Sequence, residues 1–515
     1  MGKTQKVEPS EGARSRATAG AVGCALAVAA VLLCGLDAQL VSEPPDDWAA
    51  DLDGQKVNEV LQRCGAPREH LSDLPSQGLH VLRADLTACD HAGEQQEAAA
   101  TASCGATFDV EVYIDGMATG AFSKHKFAVS CAAAVEPLGS GAEQQQVAVL
   151  LVKPIRRAIQ SMRPLMLTQL RATGNLTQEA FVELSGRPGL VGTTDRSEFF
   201  TPNGHRVSAT RAEILRAFRE CGTLYWVEGG EFVWPGIRPG YSTTVSIPTH
   251  GEVKMTTVSL MPKVFTIDKL LADKECEEII ASTEPQMRAS TVTTLGKQVD
   301  GAVDVDGFRT STQVRFKLAE TPQIEAVERR AHQLLRVPVS HGEPLQVIRY
   351  REGETYQAHT DYFDPMRYAD SPEVMLQLEG GNRNRFATML WYLNTPEQGG
   401  ETLFPRAPRG GPLPNSHRCG LEADGSMRTD PSGVKVHAKT GRATLFYNMR
   451  PDGAIDPLSL HAGCPPEAGS VKFAVNRWFW SRPWKLRADQ SEHERTFSAP
   501  KPDYWDNERT QMKMS

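Results

Sequence analysis

The second half of the chain carries a succession of strand-like segments, and this pattern constrains the fold more than any other feature of the sequence. Apolar residues recur there in the alternation or the short runs that are typical of β-strands. These segments are residues 345–350, 356–361, 386–393, 442–447 and 471–480. Residues 267–282 and 322–335 precede them and carry apolar residues at helical spacing. Helices followed by many strands predict a mainly β sandwich or barrel with flanking helices.

The region from residue 56 to residue 250 mixes both types of element. Residues 108–113 alternate as a strand, and residues 147–152 form a short apolar run that suits a buried strand. Amphipathic helices are expected around residues 155–170 and 209–221. We therefore predict an N-terminal α+β region of unknown role, without side chains that suggest chemistry.

An uncharged run near the N-terminus predicts a membrane anchor. Residues 17–36 carry no charge, and about 20 residues in a helix cross roughly 30 Å of hydrocarbon. Basic residues precede the run and aspartates follow it, which predicts a cytoplasmic tail at 1–16 and a linker at 37–55. A cleaved signal peptide is the alternative, because residues 36–38 resemble a small-residue cleavage site. We expect a single-pass type II protein of the endoplasmic reticulum or Golgi membrane, with its catalytic domain in the lumen.

The cysteines suit the same compartment. Two of the ten lie in the uncharged run, which leaves an even number for disulfides in an oxidising environment. No two stand in a C-x-x-C pair, so neither a zinc ribbon nor a thioredoxin-type motif is indicated, and the disulfide pairing stays open. Asn175 begins an N-x-T glycosylation acceptor pattern.

The net charge argues against nucleic acid as a partner. It is -7 at pH 7, so the chain lacks the basic surplus that drives binding to a phosphate backbone. Hydrophobic residues make up 40% and charged residues 23%, which excludes a wholly disordered chain and predicts a buried core. A charged tail is expected at residues 486–515.

Three residues form a candidate metal site. His359 and Asp361 are two residues apart in an extended segment, so both side chains lie on the same face. The H-x-[DE] pattern alone is weak, because residues 250–252 and 341–343 also match it. His461 stands about a hundred residues on, just before another strand, and completes a set of two histidines and one carboxylate. Such a facial triad is typical of non-haem Fe(II) oxygenases, whereas zinc more often prefers a tetrahedral set.

The strand after His461 adds an independent argument. If its even-numbered face lines the cavity, Lys472 is buried there and needs an anionic partner, which the strand itself lacks. The carboxylate of a cosubstrate that chelates iron with its other end would serve, and 2-oxoglutarate matches this description. A solvated lysine on an edge strand is the alternative. The even-numbered face carries Lys472, Ala474, Asn476, Trp478 and Trp480, and the opposite face carries Val471, Phe473, Val475 and Phe479.

Residues 257–485 resemble the catalytic domain of peptidyl prolyl 4-hydroxylases, and the membrane-anchored plant and algal type most of all. The resemblance is specific because several matching stretches occur in order over a little under half of the chain. They are residues 309–311, 345–350, 387–390, 392–393, 399–405 and 456–465, together with Gly353, Tyr356, His359, Asp361, Tyr362 and Phe363.

The resemblance implies a double-stranded β-helix, or jelly-roll, catalytic domain. It implies that Fe(II) is held by His359, Asp361 and His461. It implies that Lys472, helped by Tyr350 and Thr402, binds the distal carboxylate of 2-oxoglutarate. It also implies that the peptide groove is lined by Arg385, Tyr356 and Trp478, although Tyr350 and Trp478 could be core aromatics and Thr402 could shape a turn.

Two departures from the family pattern bear on the site. One extra residue follows Cys464, so that strict counting would place Val471 where the family has its carboxylate-binding lysine. We assign Lys472, because an apolar valine cannot neutralise a carboxylate. Trp480 stands where the family generally carries a histidine used with the peptide substrate, which puts the peptide preference in doubt.

The resemblance implies 4-hydroxylation of prolyl residues in secretory-pathway proteins, with Fe(II), 2-oxoglutarate and dioxygen, and with L-ascorbate to restore oxidised iron. The expected partners are a proline-containing peptide or protein and, through one N-terminal helix, the membrane. Two alternatives stay open. One is an oxygenase with the same cofactors that acts on another side chain such as lysine, and the other is a catalytically silent binding module.

Overall fold

The computed structural model describes most of the chain from residue 197 onward and a few earlier stretches. The described residues are 64, 77–86, 107–116, 124–130, 165, 168, 172, 197–208, 211–290, 309–407 and 433–484. All of them belong to one compact unit, Asp53–Ser515. The expected anchor at 17–36, the linker, the strand at 147–152 and the tail at 486–515 lie outside the described residues. Within the described ranges, no helix is both long enough and apolar enough to cross a membrane.

A six-stranded antiparallel sheet, called here the N-terminal sheet, is formed by the described residues up to Val227. Its strands are β1 (Leu79–Ala84), β2 (Thr107–Tyr113), β3 (Lys124–Ser130), β4 (Glu198–Phe200), β5 (Arg206–Val207) and β6 (Thr223–Val227). They stand in the order β3-β2-β1-β6-β4-β5. Helix α1 (Arg211–Cys221) precedes β6, and a disulfide joins its last residue to Cys64. The predictions of a strand at 108–113 and a helix at 209–221 are confirmed.

A nine-stranded sheet, called here the large sheet, follows. Its strands are β7 (Ser242–Ile247), β8 (Gly251–Leu260), β9 (Lys263–Ile267), β10 (Arg288–Ala289), β11 (Thr312–Arg315), β12 (Gln346–Tyr350), β14 (Arg385–Tyr392), β18 (Ala443–Tyr447) and β21 (Lys472–Trp480). They stand in the order β10-β11-β12-β21-β14-β18-β9-β8-β7. The described part of the chain is therefore mainly β, as predicted. Strand β7 lies before residue 257, where the catalytic domain was expected to begin, and β8 spans that residue.

Two smaller sheets make up the rest of the β structure in the described ranges. The four-stranded sheet has the order β13-β19-β16-β17, and β15 pairs with β20. Their strands are β13 (Tyr356–His359), β15 (Gln398–Gly399), β16 (Thr402–Phe404), β17 (Val434–Val436), β19 (His461–Gly463) and β20 (Pro466–Glu467). The five strands predicted in the second half of the chain are confirmed within two residues at each end.

Three further helices flank these sheets. They are α2 (Asp273–Thr283), α3 (Pro322–Leu335) and α4 (Pro372–Gln377). Thr321 caps α3 by accepting a hydrogen bond of 3.2 Å from the Ile324 N–H, and Pro322 occupies the first turn, where no N–H is needed. The predicted apolar face of α3 is buried. Helix α2 begins six residues later than predicted, because residues up to Ile267 pair with β18 as part of β9.

One hydrophobic core joins the N-terminal sheet to the large sheet. Leu79, Val227 and Trp234 belong to the same buried cluster as Val347 and Phe473. The expected disulfide bonding is seen at Cys64–Cys221, and Cys464 is disulfide-bonded as well. Cys276 is instead a buried free thiol. The N-terminal sheet and the large sheet thus share their core and are not two independently packed bodies.

Candidate active site

The four-stranded sheet brings the two predicted histidine ligands together. His359 ends β13 and His461 begins β19, and the two residues face each other in register across this antiparallel pair. Asp361 follows β13 by two residues. Its Oδ1 lies 3.6 Å from His359 Nε2, and its Oδ2 lies 3.6 Å from His461 Nε2. All three ligand atoms lie within 4.8 Å of one another, and no other such group of three is present in the described ranges.

The backbone fixes which imidazole nitrogen is free. His359 Nδ1 lies 2.8 Å from the Gln357 carbonyl, and His461 Nδ1 lies 3.0 Å from the Ser459 carbonyl. A carbonyl can only accept a hydrogen bond, so each Nδ1 carries a proton, and in a neutral imidazole the lone pair is then on Nε2. Burial, followed by the proximity of His461, lowers the pKa of His359 to about 3. His359 is therefore neutral at physiological pH, as a metal ligand must be.

The carboxylate of Asp361 is held by two neighbours. Thr388 Oγ1 donates a hydrogen bond of 2.7 Å to Oδ2, and Asn448 Nδ2 donates one of 2.9 Å to Thr388 Oγ1. Burial would raise the pKa of Asp361, but His461, His359, Arg385 and the Thr388 hydrogen bond together outweigh it and lower the pKa. The carboxylate is therefore ionised. Two imidazoles and one carboxylate on one side of a metal fit Fe(II) with open positions opposite them.

Thr388→Val tests this support of Asp361. Valine keeps the shape of threonine but leaves Asp361 Oδ2 without its donor, so we expect the affinity for Fe(II) or Co(II) to fall about tenfold. The measurement is an anaerobic metal titration followed by calorimetry. Thr444→Val, a change in the same sheet that touches none of the three ligands, should leave metal affinity unchanged. Equal affinities of Thr388→Val and the unsubstituted chain would contradict the assignment.

Lys472 occupies a buried position on β21. It stands directly opposite Tyr350 across β12 and β21, and its side chain is 2% exposed. Its Nζ lies 5.3 Å and 5.4 Å from the ring centroids of Tyr350 and Tyr392. Burial lowers the pKa of Lys472 to about 8, against the opposing charge of Glu401. Among the described residues, no carboxylate lies within ion-pair distance of this ammonium, so the position suits the carboxylate of a ligand.

Hydroxyl groups surround the same position. Thr402, on β16, is buried, and its Oγ1 lies 2.9 Å from the Tyr392 hydroxyl. The Tyr392 hydroxyl also lies 3.0 Å from Thr444 Oγ1. Hydroxyls and an ammonium that converge in a buried space can bind a carboxylate. Tyr392 and Thr444 were not predicted, although the alternation that puts Thr388 on the inner face of β14 puts Tyr392 there too.

Glu401, which lies one residue before Thr402, was also not predicted as part of the site. Its side chain is 1% exposed, its Oε1 lies 3.6 Å from His437 Nδ1, and its Oε2 has no hydrogen-bond partner among the described residues. The expectation that Lys472 has no acidic residue beside it in its own strand holds. The neighbouring segment nevertheless supplies one, so Lys472 faces a carboxylate charge even without a ligand.

The three predicted groove residues all lie around the metal ligands. The Tyr356 ring stacks on His359 with centroids 3.6 Å apart. Arg385 donates two hydrogen bonds to Glu343, of 2.6 and 3.0 Å, and its Nη1 lies 3.3 Å from the Asp361 carbonyl. The Arg385 guanidinium also lies 4.1 Å from the centroid of the Trp478 ring. Arg385 is thus buried and paired, and it braces the segment that carries Asp361.

Trp480 contacts the same glutamate as Arg385. Its Nε1 donates a hydrogen bond of 2.8 Å to Glu343 Oε1, which also accepts from Arg385. Its ring lies 5.8 Å from that of Phe363, and the Arg383 guanidinium lies 5.0 Å from it. Trp480 is therefore a buried aromatic residue that is hydrogen-bonded to Glu343.

The two other H-x-[DE] pairs do not form metal sites. His250 Nε2 lies 3.1 Å from the Lys269 carbonyl, and His341 Nδ1 lies 3.0 Å from the Trp480 carbonyl. Glu343 is engaged by Arg385 and Trp480. Within the described ranges, neither histidine has a third ligand nearby.

Comparison with known proteins points to one family. Residues 345–480 match the 2OG-Fe(II) oxygenase superfamily. Prolyl 4-hydroxylase 5 of Arabidopsis thaliana is 34% identical over 242 residues, which are 46% of this chain and 75% of that protein. Prolyl 4-hydroxylase 1 of Arabidopsis thaliana is 35% identical over 230 residues, which are 44% of this chain and 72% of that protein.

A solved structure is also similar. It is the 2OG complex of the viral collagen prolyl hydroxylase vCPH from Paramecium Bursaria Chlorella virus-1. The sequence identity is 24% and the TM-score is 0.28, over 42% of this chain and 95% of that chain.

Proposed function

The chain belongs to the prolyl 4-hydroxylase family of 2-oxoglutarate/Fe(II) oxygenases, and on that premise we propose that it 4-hydroxylates prolyl residues of proteins in the secretory pathway. The observation that carries the proposal is the convergence of His359, Asp361 and His461, whose ligand atoms lie within 4.8 Å of one another, together with the buried ammonium of Lys472. The large sheet and the four-stranded sheet, which share a buried hydrophobic cluster, are proposed to form a double-stranded β-helix core.

The cofactors would provide the chemical reactivity, and the residues of the chain would bind and position them. Fe(II) together with 2-oxoglutarate and dioxygen provides the oxidising power to hydroxylate an unactivated C–H bond. His359, Asp361 and His461 would hold the metal. Lys472 would neutralise the distal carboxylate of 2-oxoglutarate, with hydroxyls that include those of Tyr350 and Thr402 as donors. L-ascorbate is proposed as the reductant that keeps the metal ferrous.

The peptide is proposed to lie over Tyr356, Arg385 and Trp478. Aromatic faces suit the apolar ring of proline, and Tyr356 lies directly against the ligand His359. The Trp478 Nε1 is buried and has no hydrogen-bond partner among the described residues, so a peptide carbonyl could accept from it. In this arrangement these residues would hold the prolyl ring near the metal site and keep bulk water away.

The compartment is proposed from the sequence and the disulfides. A single helix at residues 17–36 would anchor the chain in the endoplasmic reticulum or Golgi membrane, with the catalytic part in the lumen. The Cys64–Cys221 disulfide supports an oxidising compartment. A glycan on Asn175 would be consistent with the same topology.

One assay separates the proposal from its alternatives. The purified chain is supplied with Fe(II), 2-oxoglutarate, ascorbate and proline-rich peptides, and mass spectrometry locates any added oxygen. Hydroxylation at a prolyl C4 with matching succinate formation is the expected result. Succinate together with oxygen on lysine or another side chain would favour a different target. Neither product would favour a catalytically silent binding module.

The affinity for 2-oxoglutarate should depend on pH through Lys472. Because burial lowers the pKa of the free ammonium to about 8 and a bound carboxylate favours its charged form, binding above that pH requires proton uptake. The affinity should be constant below about pH 8 and fall roughly tenfold per pH unit above it. The measurement is calorimetry with Mn(II) in place of Fe(II), without dioxygen. In Lys472→Arg the charge persists over this range, so a flat profile is expected. The same fall in that variant would place the titrating group elsewhere.

A further inference from the structure

Two of the three metal ligands depend on one hairpin, which is defined here as residues 448–456. The Asp456 N–H donates a hydrogen bond of 2.8 Å to the Asn448 carbonyl, and the Arg450 N–H donates one of 2.7 Å to the Ala454 carbonyl. Met449 and Ile455 pair in an antiparallel bridge. The 448–456 hairpin follows β18 and leads toward β19, which His461 begins.

Each end of the 448–456 hairpin is connected to a metal ligand through hydrogen bonds. At one end, Asn448 donates to Thr388, which donates to Asp361 Oδ2. At the other end, the Ser459 hydroxyl donates a hydrogen bond of 2.7 Å to the Asp456 carbonyl. The Ser459 carbonyl in turn accepts from His461 Nδ1. A displacement of the hairpin would therefore change the positions of both Asp361 and His461.

The tip of the 448–456 hairpin lies against the N-terminal sheet. Gly78 precedes β1 and Gly229 follows β6 by two residues, and these strands pair so that both glycines lie at the same end of the sheet. The Gly229 N–H donates a hydrogen bond of 2.7 Å to the Pro451 carbonyl. A Cβ on Gly229 would lie 2.6 Å from the Gly453 nitrogen and 2.8 Å from the Pro451 oxygen, both of them backbone atoms. The contact is too close for any side chain.

Buried polar groups hold the glycine end of the N-terminal sheet in place. The Gly78 N–H donates a hydrogen bond of 2.7 Å to Asp115 Oδ1, and the Asp115 N–H donates one of 3.0 Å to His80 Nδ1. His80 Nε2 lies 2.7 Å from Glu228 Oε1. His80 and Asp115 are 0% and 1% exposed. Lys263, also buried, contributes a positive charge that acts on both Asp115 and Asp456.

From these contacts we propose that the N-terminal sheet positions the metal ligands. A Cβ on Gly78 would lie 2.5 Å from the Asp452 nitrogen, so Gly78 contacts the tip of the 448–456 hairpin as Gly229 does. The hairpin transmits this constraint to Asp361 and His461. The N-terminal sheet, whose described residues include none of the candidate site residues, would thereby have a role in metal binding. This positioning role rests on the metal centre of the proposed function and goes beyond it, because it concerns residues outside the site.

Gly229→Ala tests the proposal in the full chain. The added methyl meets backbone atoms of the hairpin, so the hairpin must shift and the affinity for Co(II) should fall about tenfold, with a changed visible absorption spectrum of the bound ion. The matched control is Gly236→Ala. Gly236 is also buried, but its added methyl meets the side-chain end of Leu260 rather than backbone of the hairpin. This control should lose thermal stability without loss of Co(II) affinity.

A second variant separates positioning from general destabilisation. Asn448→Ala removes the hydrogen bond between the hairpin and Thr388 and should also weaken Co(II) binding about tenfold. If Gly229 acts through the hairpin, the loss of Co(II) binding free energy in the double variant should be smaller than the sum of the losses in the two single variants. The reason is that both changes disturb the same chain of contacts between the N-terminal sheet and Asp361. Full additivity would overturn the proposal, and so would unchanged affinity in Gly229→Ala. Loss of affinity in proportion to melting temperature in all variants, Gly236→Ala included, would overturn it as well. Failure of the unsubstituted chain to bind Co(II) would instead contradict the proposed function, and the positioning role with it.

Discussion

Asp361→Ala is expected to abolish turnover and to lower the affinity for Fe(II) by more than about 100-fold. The change removes the only negative charge among the three ligands and leaves two imidazoles, which bind the ion much more weakly on their own. It also leaves the Thr388 hydroxyl without its acceptor. The measurements are anaerobic metal titration and peptide hydroxylation by mass spectrometry.

Asp364→Ala is the matched control for this change. Asp364 lies three residues further along the same segment, and its Oδ1 accepts a hydrogen bond of 3.0 Å from the Met366 N–H at the start of a short helical turn. Its loss should affect local stability alone, with Fe(II) affinity and turnover kept. Retained turnover in Asp361→Ala, with the protein folded by circular dichroism, would contradict the ligand assignment.

Lys472→Met should raise the dissociation constant for 2-oxoglutarate about 100-fold, which corresponds to about 2.7 kcal/mol. The ammonium is buried, and a charge-assisted hydrogen bond to a carboxylate in such a place is strong. Methionine fills similar space without charge, so the variant should fold at least as stably in the absence of 2-oxoglutarate. Metal affinity should stay unchanged, because Lys472 touches none of the metal ligands. Calorimetry with Mn(II) measures both constants.

Lys435→Met is the control for the loss of a lysine in this region. Lys435 lies on β17 opposite Leu403, one residue along from the Thr402–Val436 pair, so it points away from the Thr402 face. This change should leave 2-oxoglutarate binding as it is. An unchanged dissociation constant in Lys472→Met would show that another group binds the carboxylate.

The metal ligands could be predicted because they follow local rules. The two-residue period of an extended segment puts His359 and Asp361 on one face whatever the rest of the chain does. The same period separates Lys472 from Phe473 and Val475, which lie in the core. Only the meeting of His461 with His359 required long-range pairing, and the order of the family's motifs supplied that expectation.

The groups that support the ligands could not be predicted in this way. Thr388 and Asn448 lie 27 and 87 positions along the chain from Asp361, and nothing in their local sequence distinguishes them from other polar residues in strands. The period of a strand tells which side chains share a face but not which strands become neighbours. Glu401 was missed for the same reason, since it is brought near Lys472 from another segment.

By itself, the sequence determined the mainly β class, the three ligand residues, the buried lysine and the faces of the strands that carry them. These follow from periodicity and from the chemistry of single side chains, which are local properties. Tertiary structure alone decided that strands β7 to β9 join the large sheet. It also decided that the N-terminal sheet shares one hydrophobic core with the large sheet and contacts the 448–456 hairpin. These contacts depend on pairing and packing between distant segments, which no local pattern encodes.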